Sequence, residues 1–394
     1  MSFFYLYDQM IYLDNSATTP LDERVLDAMQ PYLRDGFGNA SSIYELGRSA
    51  RIALEDARAT VASSIGAEES EIVFTSGGTE ANNHAIQGAV FAAHLARRNF
   101  KEQSVSVSQT EHHAVLEPAE FVEKLGVKVS RVGVNNDGIV DIDAFRSSLS
   151  KNTSVVSVMS VNNETGSINP IKDIASLTRE LSPLSLIHTD AVQALGKIDV
   201  NVKEWGVDLL SLSAHKIHGP KGIGALFIRR TVMIEPLFHG GAQERNRRGG
   251  TEAVALAVGF AKATEISMHE KEARRGYIHS LHSYLIQKLR EIEGVVLNSP
   301  TAGKSVDNII NITFTPGVLA KVEGDALIIR FDLDGIAVSN GSACTSGALQ
   351  PSHVLIAMGK GEEVARKSIR VSLSKNNSIE DLDAFIATLQ KILS

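Results

Sequence analysis

The sequence predicts an α/β fold, with a large domain built on a mixed, mostly parallel sheet flanked by helices and a smaller α+β domain beside it. Three observations carry this. First, short apolar runs stop abruptly at polar residues. Ser154 to Val161 ends at Asn162 and Asn163, Leu184 to His188 leads into Thr189 and Asp190, and Val207 to Leu212 turns into Ser213, His215 and Lys216. In an open α/β sheet, ligands collect where strands end at their carboxyl edge. Second, Ala253 to about Ile292 keeps a helical pattern over an unusual length, with charges concentrated after Glu265. That reads as a helix pair joining two domains near residue 265. Third, the elements beyond it alternate without order: strand Val306 to Phe314, helix Glu323 to Phe331, strands Ile336 to Val338 and Ile369 to Leu373, helix Ile379 to Leu393. The expected domains are therefore 20–264, and 1–19 together with 265–394.

The totals exclude several classes. The chain has 394 residues, 43% hydrophobic and 22% charged, which supplies two cores rather than one. A net charge of -7 leaves no basic footprint for nucleic acid, and the run Arg245, Arg247, Arg248 reads by default as a solvated loop. No apolar stretch is long enough to span a bilayer. Residues 1–8 are apolar without a basic leader or a small-residue cleavage site, so the expectation is a cytoplasmic protein. The only cysteine is Cys344, which rules out an intrachain disulfide and a four-cysteine zinc site, and favours a reducing compartment.

Taken in order, Asp22 to Leu33 has helical spacing and Phe37 to Tyr44 reads as a loop. Glu71 to Thr75 is a strand, followed by the turn Ser76-Gly-Gly-Thr-Glu-Ala81 and a long helical pattern towards Arg98. Strand, glycine turn and helix together gather unpaired N–H groups and the positive end of a helix dipole, which suits a phosphate on Gly77, Gly78 and Thr79. Such turns are also common without a ligand. Gln103 to Gln109 alternates as a strand and ends at Thr110-Glu-His-His-Ala114, where adjacent histidines point different ways. Asp190 either caps the next helix or holds a charged ring nitrogen. The stretch Leu209 to Gly224 centres on Lys216, at the end of a strand beside hydroxyl and imidazole donors and placed for a Schiff base with an aldehyde. By residue type alone, a solvated lysine is the commoner outcome. Phe238 to Glu252 is a glycine-rich loop too long for a tight turn.

Ser213-Ala-His-Lys-Ile-His-Gly-Pro-Lys-Gly-Ile-Gly224 resembles the pyridoxal-phosphate lysine segment of the cysteine desulfurases, class V aminotransferases of the NifS and IscS kind. Similar landmarks run from Tyr12-Leu-Asp-Asn-Ser-Ala-Thr-Thr-Pro20 to Ser368-Ile-Arg-Val-Ser372, with proteins of this family commonly beginning near Met10. The resemblance implies the fold type I architecture of pyridoxal 5'-phosphate enzymes, with Lys216 anchoring the cofactor and His112 stacking on its ring and handling protons. It further implies Asp190 at the ring nitrogen, Asn163 and Gln193 at the ring hydroxyl, and Gly78, Thr79, Ser213 and His215 at the phosphate. Thr251, on the glycine-rich loop, would reach the phosphate of a second subunit, making a homodimer. Arg370 would grip the substrate carboxylate. Asn39 would border the site, although Ala40 and Tyr44 depart from the family's loop. A metal reading of His112, His215 and His218 is set aside, because no acidic ligand accompanies them.

Cys344 lies in Ser339-Asn-Gly-Ser-Ala-Cys-Thr-Ser-Gly-Ala348, small and polar residues that offer little to bury a thiol. The segment is similar to the longer-loop class of these desulfurases. The implied reaction converts L-cysteine to L-alanine with a persulfide on Cys344, delivered to an acceptor such as an iron–sulfur scaffold, with a cluster bridging Cys344 and the scaffold transiently, or to tRNA thiolation. The alternatives are a selenocysteine lyase or aminotransferase of the same fold, or an inactive cofactor-binding regulatory subunit.

Overall fold

The computed structural model describes residues 10–96, 98–300, 303–320, 324–340 and 350–394. The expectations placed on residues 1–9 and on Cys344 lie outside the described residues. Twelve strands are described: β1 (Ile11–Tyr12), β2 (Ile72–Thr75), β3 (Ser104–Ser108), β4 (Lys128–Val132), β5 (Thr153–Ser157), β6 (Leu186–Asp190), β7 (Leu209–Ser213), β8 (Gly224–Ile228), β9 (Val295–Leu297), β10 (Ile309–Phe314), β11 (Ile336–Ala337) and β12 (Ile369–Ser372).

Seven strands form the main sheet in the order β2-β8-β7-β6-β5-β3-β4. Strand β8 runs antiparallel to both neighbours, and the other pairings are parallel. Every residue of β2, β5, β7 and β8 is buried, which is why these segments read as near-continuous apolar runs: helices cover both faces. Strand β3 alternates Ser and Val, yet its serine face is buried too. Its hydroxyls are paired, Ser104 Oγ with Thr153 Oγ1 at 3.1 Å and Ser106 Oγ with Ser148 Oγ at 2.6 Å, so the polar side needs no water. His188 bridges the neighbouring strands, between Ser157 Oγ at 2.8 Å and Ser211 Oγ at 3.0 Å.

Around the sheet lie α1 (Glu23–Arg34), α2 (Glu45–Ser64), α3 (Gly78–Leu95) and α4 (His113–Lys124). The long helical stretch divides into α5 (Val254–His269) and α6 (Lys271–Arg290), joined at Glu270. The core changes hands at that joint. Val254, Ala257 and Phe260 of α5 pack with the main-sheet cluster. Leu281, Leu285 and Leu289 of α6 pack with a second cluster containing Leu13, Ile310, Phe331, Val371 and Phe385. That cluster is built on the antiparallel sheet β12-β10-β9, the parallel pair β1-β11, and α7 (Ile379–Leu393), whose Ser378 and Asp381 form a capping box. The chain's start thus belongs with its end, and a bridge from Asp14 to Ser372 fixes the strap of residues 12–20 across the carboxyl edge of the main sheet.

Candidate active site

The site forms where β6 and β7 end, beneath the N-terminus of α3. After β7 the chain makes one 3-10 turn, Ala214–Lys216, and carries the Lys216 side chain up to the strap. There Lys216 Nζ donates to the backbone carbonyls of Ser16 and Ala17, at 2.5 and 2.7 Å. The last residue of β6, Asp190, is buried and held on both oxygens: Asn82 Nδ2 donates to Oδ2 at 2.6 Å and the Val192 N–H to Oδ1 at 2.9 Å. Asp190 does cap the turn that follows it, and its other oxygen is still aimed across β6 to α3. Gln193, one turn on, donates from Nε2 to the Ser16 carbonyl at 2.9 Å.

His112 is the N-cap of α4, its Nδ1 accepting the Ala114 N–H at 3.0 Å. That bond leaves Nε2 as the protonated nitrogen of the neutral ring. Desolvation holds the His112 pKa below the ordinary value; the Asp190 carboxylate pulls it up and Lys216 pushes it down, so the three groups share one electrostatic field. His113 turns to the exposed side, with its ring 4.8 Å from that of His353. Glu111, next to His112 in the chain, is fully buried; burial first, and then Asp190, drives its carboxyl well above the usual range despite the Met159 N–H it accepts.

Above Lys216, Gly77 caps α3 with no side-chain hydrogen bond at the helix start. A Cβ at Gly77 would meet nothing within 4 Å, so the mouth of the turn is open, and Ser76 and Thr79 are exposed there. Ser213 lies below: its Cβ is 3.7 Å from where a Cβ on Gly78 would stand. Gly224, first residue of β8, is fixed by contact, since a Cβ on it would fall 2.5 Å from the Leu212 carbonyl oxygen and 2.7 Å from the Gly77 carbonyl carbon. His215 Nδ1 is 3.1 Å from Thr18 Oγ1, and burial together with Lys216, Lys221 and Lys197 lowers its pKa to about 4. It is therefore neutral at ordinary pH. His218 is turned away, with Nδ1 at 3.0 Å from the Pro20 carbonyl.

The remaining residues singled out in the sequence arrive from farther off. Arg370, on β12, is buried, with Nη2 donating to Asp14 Oδ1 at 2.7 Å and Nη1 to the Asn163 carbonyl at 3.1 Å, while Nε is buried without a hydrogen-bond partner among the described residues. Asn163 therefore meets Arg370 through its backbone. Asn39 is exposed in the 37–44 loop, its Oδ1 accepting the Ser41 N–H at 2.8 Å. Thr251 borders a small cavity with Thr75, Ser76 and Arg248. Its loop is tied down by Glu244, which takes a two-pronged pair from Arg58 at 2.6 and 3.0 Å and the Phe74 N–H at 2.9 Å. Glu244, Arg245 and Asn246 all take positive φ, 45°, 56° and 63°, a tight left-handed turn rather than a floppy loop.

Asp14, Asn82, the Ser16 carbonyl and Lys197 are parts of this site that residue-type reasoning passed over. For Asp14 and Ser16 a signal existed: the 12–20 segment is one of the motifs of the resemblance.

The family model described as Aminotransferase class-V matches residues 11–385. The cysteine desulfurase IscS of Dictyoglomus turgidum is 45% identical over 384 residues, covering 97% of this chain and 94% of that protein. A solved structure described as a NifS-like protein superposes with a TM-score of 0.89 at 35% identity, covering 98% of this chain and 99% of the other. Another, SspA in complex with cysteine, gives a TM-score of 0.78 at 34% identity over 93% of this chain and 99% of that one.

Proposed function

The chain belongs to the class-V aminotransferase family, and on that premise we propose that it is a pyridoxal-phosphate-dependent cysteine desulfurase that takes sulfur from free L-cysteine onto Cys344. The observation that carries the reading is the joint placement of Lys216, Asp190 and His112 at the carboxyl edge of the sheet, beneath a helix start left uncapped.

The residues fit the cofactor. The open turn at Gly77 to Thr79 offers backbone N–H groups and a dipole to a phosphate, with Ser213 and His215 beside it. The buried Asp190 offers a negative charge to a pyridinium nitrogen, and the Lys216 amine, at the end of β7 and beneath the α3 turn, is placed to condense with an aldehyde. When bound, pyridoxal phosphate supplies an electron sink for charge developing on the substrate carbons. The protein supplies position and protons. Gln193 and Asn163 border the ring-oxygen side, Lys216 Nζ accepts and returns a proton, and the His112 Nε2–H is a donor within the same field. Arg370 holds the substrate carboxylate, steadied by Asp14 from behind.

The sulfur step balances without an outside oxidant. The thiolate of Cys344 bonds to the substrate sulfur, the carbon–sulfur bond breaks, and the carbon takes a proton, giving L-alanine and a persulfide. The sulfur is then passed to an acceptor protein of iron–sulfur assembly or tRNA thiolation, in the cytoplasm. The names of the relatives favour this over a selenocysteine lyase or an aminotransferase.

The working unit is a homodimer. Leu33, Phe37, Ile43 and Ile52, on α1, α2 and the loop between them, are exposed, and an apolar face of this kind suits a second copy, placing the Thr251 loop at the junction. The division into 20–264, and 1–19 with 265–394, is supported by the exchange of cores at Glu270.

The test is to mix the purified protein, loaded with pyridoxal phosphate, with L-cysteine and measure alanine and protein-bound persulfide in the same tube. Cys344→Ala is expected to lose the persulfide. A variant that still forms it at the wild-type rate refutes the nucleophile, and a keto acid in place of alanine refutes the reaction.

A further inference from the structure

Behind Lys216, on the side away from the α3 turn, lies a cavity of about 380 Å³ between the two cores. It is bounded by Leu195 to Asp199, by the start of α6 and by residues 373–375, and Lys197 and Lys216 both open onto it. The mechanism above makes no use of Lys197. Its ammonium donates to Gln193 Oε1. The other end of that amide, Nε2, donates to the Ser16 carbonyl at 2.9 Å, the same oxygen that accepts Lys216 Nζ. A line of three hydrogen bonds therefore joins one lysine to the other.

We propose that Lys197 is a positioning residue for Lys216, acting through Gln193 and the Ser16 carbonyl. A side-chain amide can turn end over end at little cost unless both ends are specified. Here an ammonium, which can only donate, fixes the oxygen end, and a carbonyl, which can only accept, fixes the nitrogen end. With Oε1 clamped, Nε2 occupies part of the Ser16 oxygen and keeps its second hydrogen facing the site. Without the clamp the amide is free to turn, and the Ser16 carbonyl is left to Lys216 alone. A carbonyl shared with fewer donors favours the protonated state of the nitrogen it still holds.

The charges around Lys197 act in the same direction. Burial first, then Lys216 and Arg370, lower the Lys197 pKa to about 7. Across the cavity it also faces Arg274, Arg275 and Lys375, set against Asp199 and Asp307, with His218 held neutral by burial at about 4. The Lys197 charge is therefore present below about pH 7 and fades above it. The cavity mixes apolar residues with charged ones and has room for water beside Lys197, a route by which its proton can exchange in the folded protein. While charged, Lys197 disfavours a second positive charge on Lys216. Removing Lys197 thus raises the protonation midpoint at Lys216 twice over, by releasing the carbonyl and by deleting a cation.

The inference rests on the cofactor reading above, and the test separates the two. Wild type, Lys197→Met, Lys197→Gln and Lys197→Arg are loaded with pyridoxal phosphate and their visible absorbance is titrated with pH, alongside thermal melting. A wild type that shows no visible band bound through Lys216 overturns the cofactor reading. Given that band, Lys197→Met is expected to move the midpoint up by about one pH unit, while Lys197→Arg, which keeps the donor and holds its charge at every pH of the titration, shows no upward shift. A Lys197→Met midpoint equal to the wild type's, or equal shifts in Met and Arg, overturns the inference, since a purely structural lysine would change melting and leave the midpoint in place. Should Lys197→Met fail to fold, Lys197→Gln is judged against Lys197→Arg by the same criterion.

Discussion

The two walls of the site are built in opposite ways. The sheet wall, formed by the ends of β6 and β7 and the starts of α3 and α4, presents side chains, each held by a partner of its own: Asp190 by Asn82 and the Val192 N–H, and His112 by the Ala114 N–H. The strap wall, residues 12–20 with β12, presents mainly backbone. It meets Lys216 with two carbonyls, and holds Arg370 of β12 with Asp14, while the carbonyl of Asn163 reaches that arginine from beyond β5. On the proposed function, the first wall carries the groups that would exchange protons and charge with the cofactor. The second sets where the amine and the guanidinium stand. Damage to the sheet wall should therefore appear in turnover or in folding, and damage to the strap wall in affinity.

The sharpest test of that division is Asp190→Ala. With pyridoxal phosphate in excess, alanine formation is expected to fall by about 10³-fold in kcat, within the range that a lost proton-handling or charge-stabilising group produces. A loss confined to KM would break the comparison. Next comes the support beneath the sheet wall. Arg58→Met leaves Glu244 buried without its partner, and should cost about 3 kcal/mol in urea or guanidinium unfolding, with the loop carrying Thr251 cleaved sooner by protease. An unchanged unfolding midpoint would mean that the loop is held elsewhere. The smallest effect belongs to the strap. Asp14→Asn should raise KM for L-cysteine about tenfold and leave kcat nearly unchanged, the pattern of lost uniform binding. A fall in kcat instead would place Asp14 on the chemical side.

The division also explains how much could be read from the chain alone. Lys216 and Asp190 are legible as candidates because each stands where an apolar run ends, whereas His112, after the alternating strand β3, was told from His113 only by the resemblance. Helix α7 was legible to the residue, because Ser378 and Asp381 mark its start. Helix α2 left less trace: Tyr44 caps it without a side-chain bond, and its buried stripe is mostly alanine, so neither cap nor periodicity stands out. The alternation of β3 signalled a strand but not that both faces are buried, since that depends on Ser148 and Thr153, which come from other elements. Arg370 was singled out only through the resemblance, and its partner Asp14, 356 residues away, was not. Carbonyl oxygens such as that of Ser16 leave no pattern at all, because every residue has one.

One small absence fixes the scale of the whole arrangement. At Gly224 the backbone of β8 passes so close to the Leu212 oxygen and to Gly77 that no side chain fits between them. The spacing between the Gly77 turn and the end of β7, from which Lys216 follows, is thus measured out by a missing methyl group, in a strand packed against both. A substitution at Gly224 would push the Gly77 turn off the strand, and so shift the proposed phosphate cradle relative to Lys216.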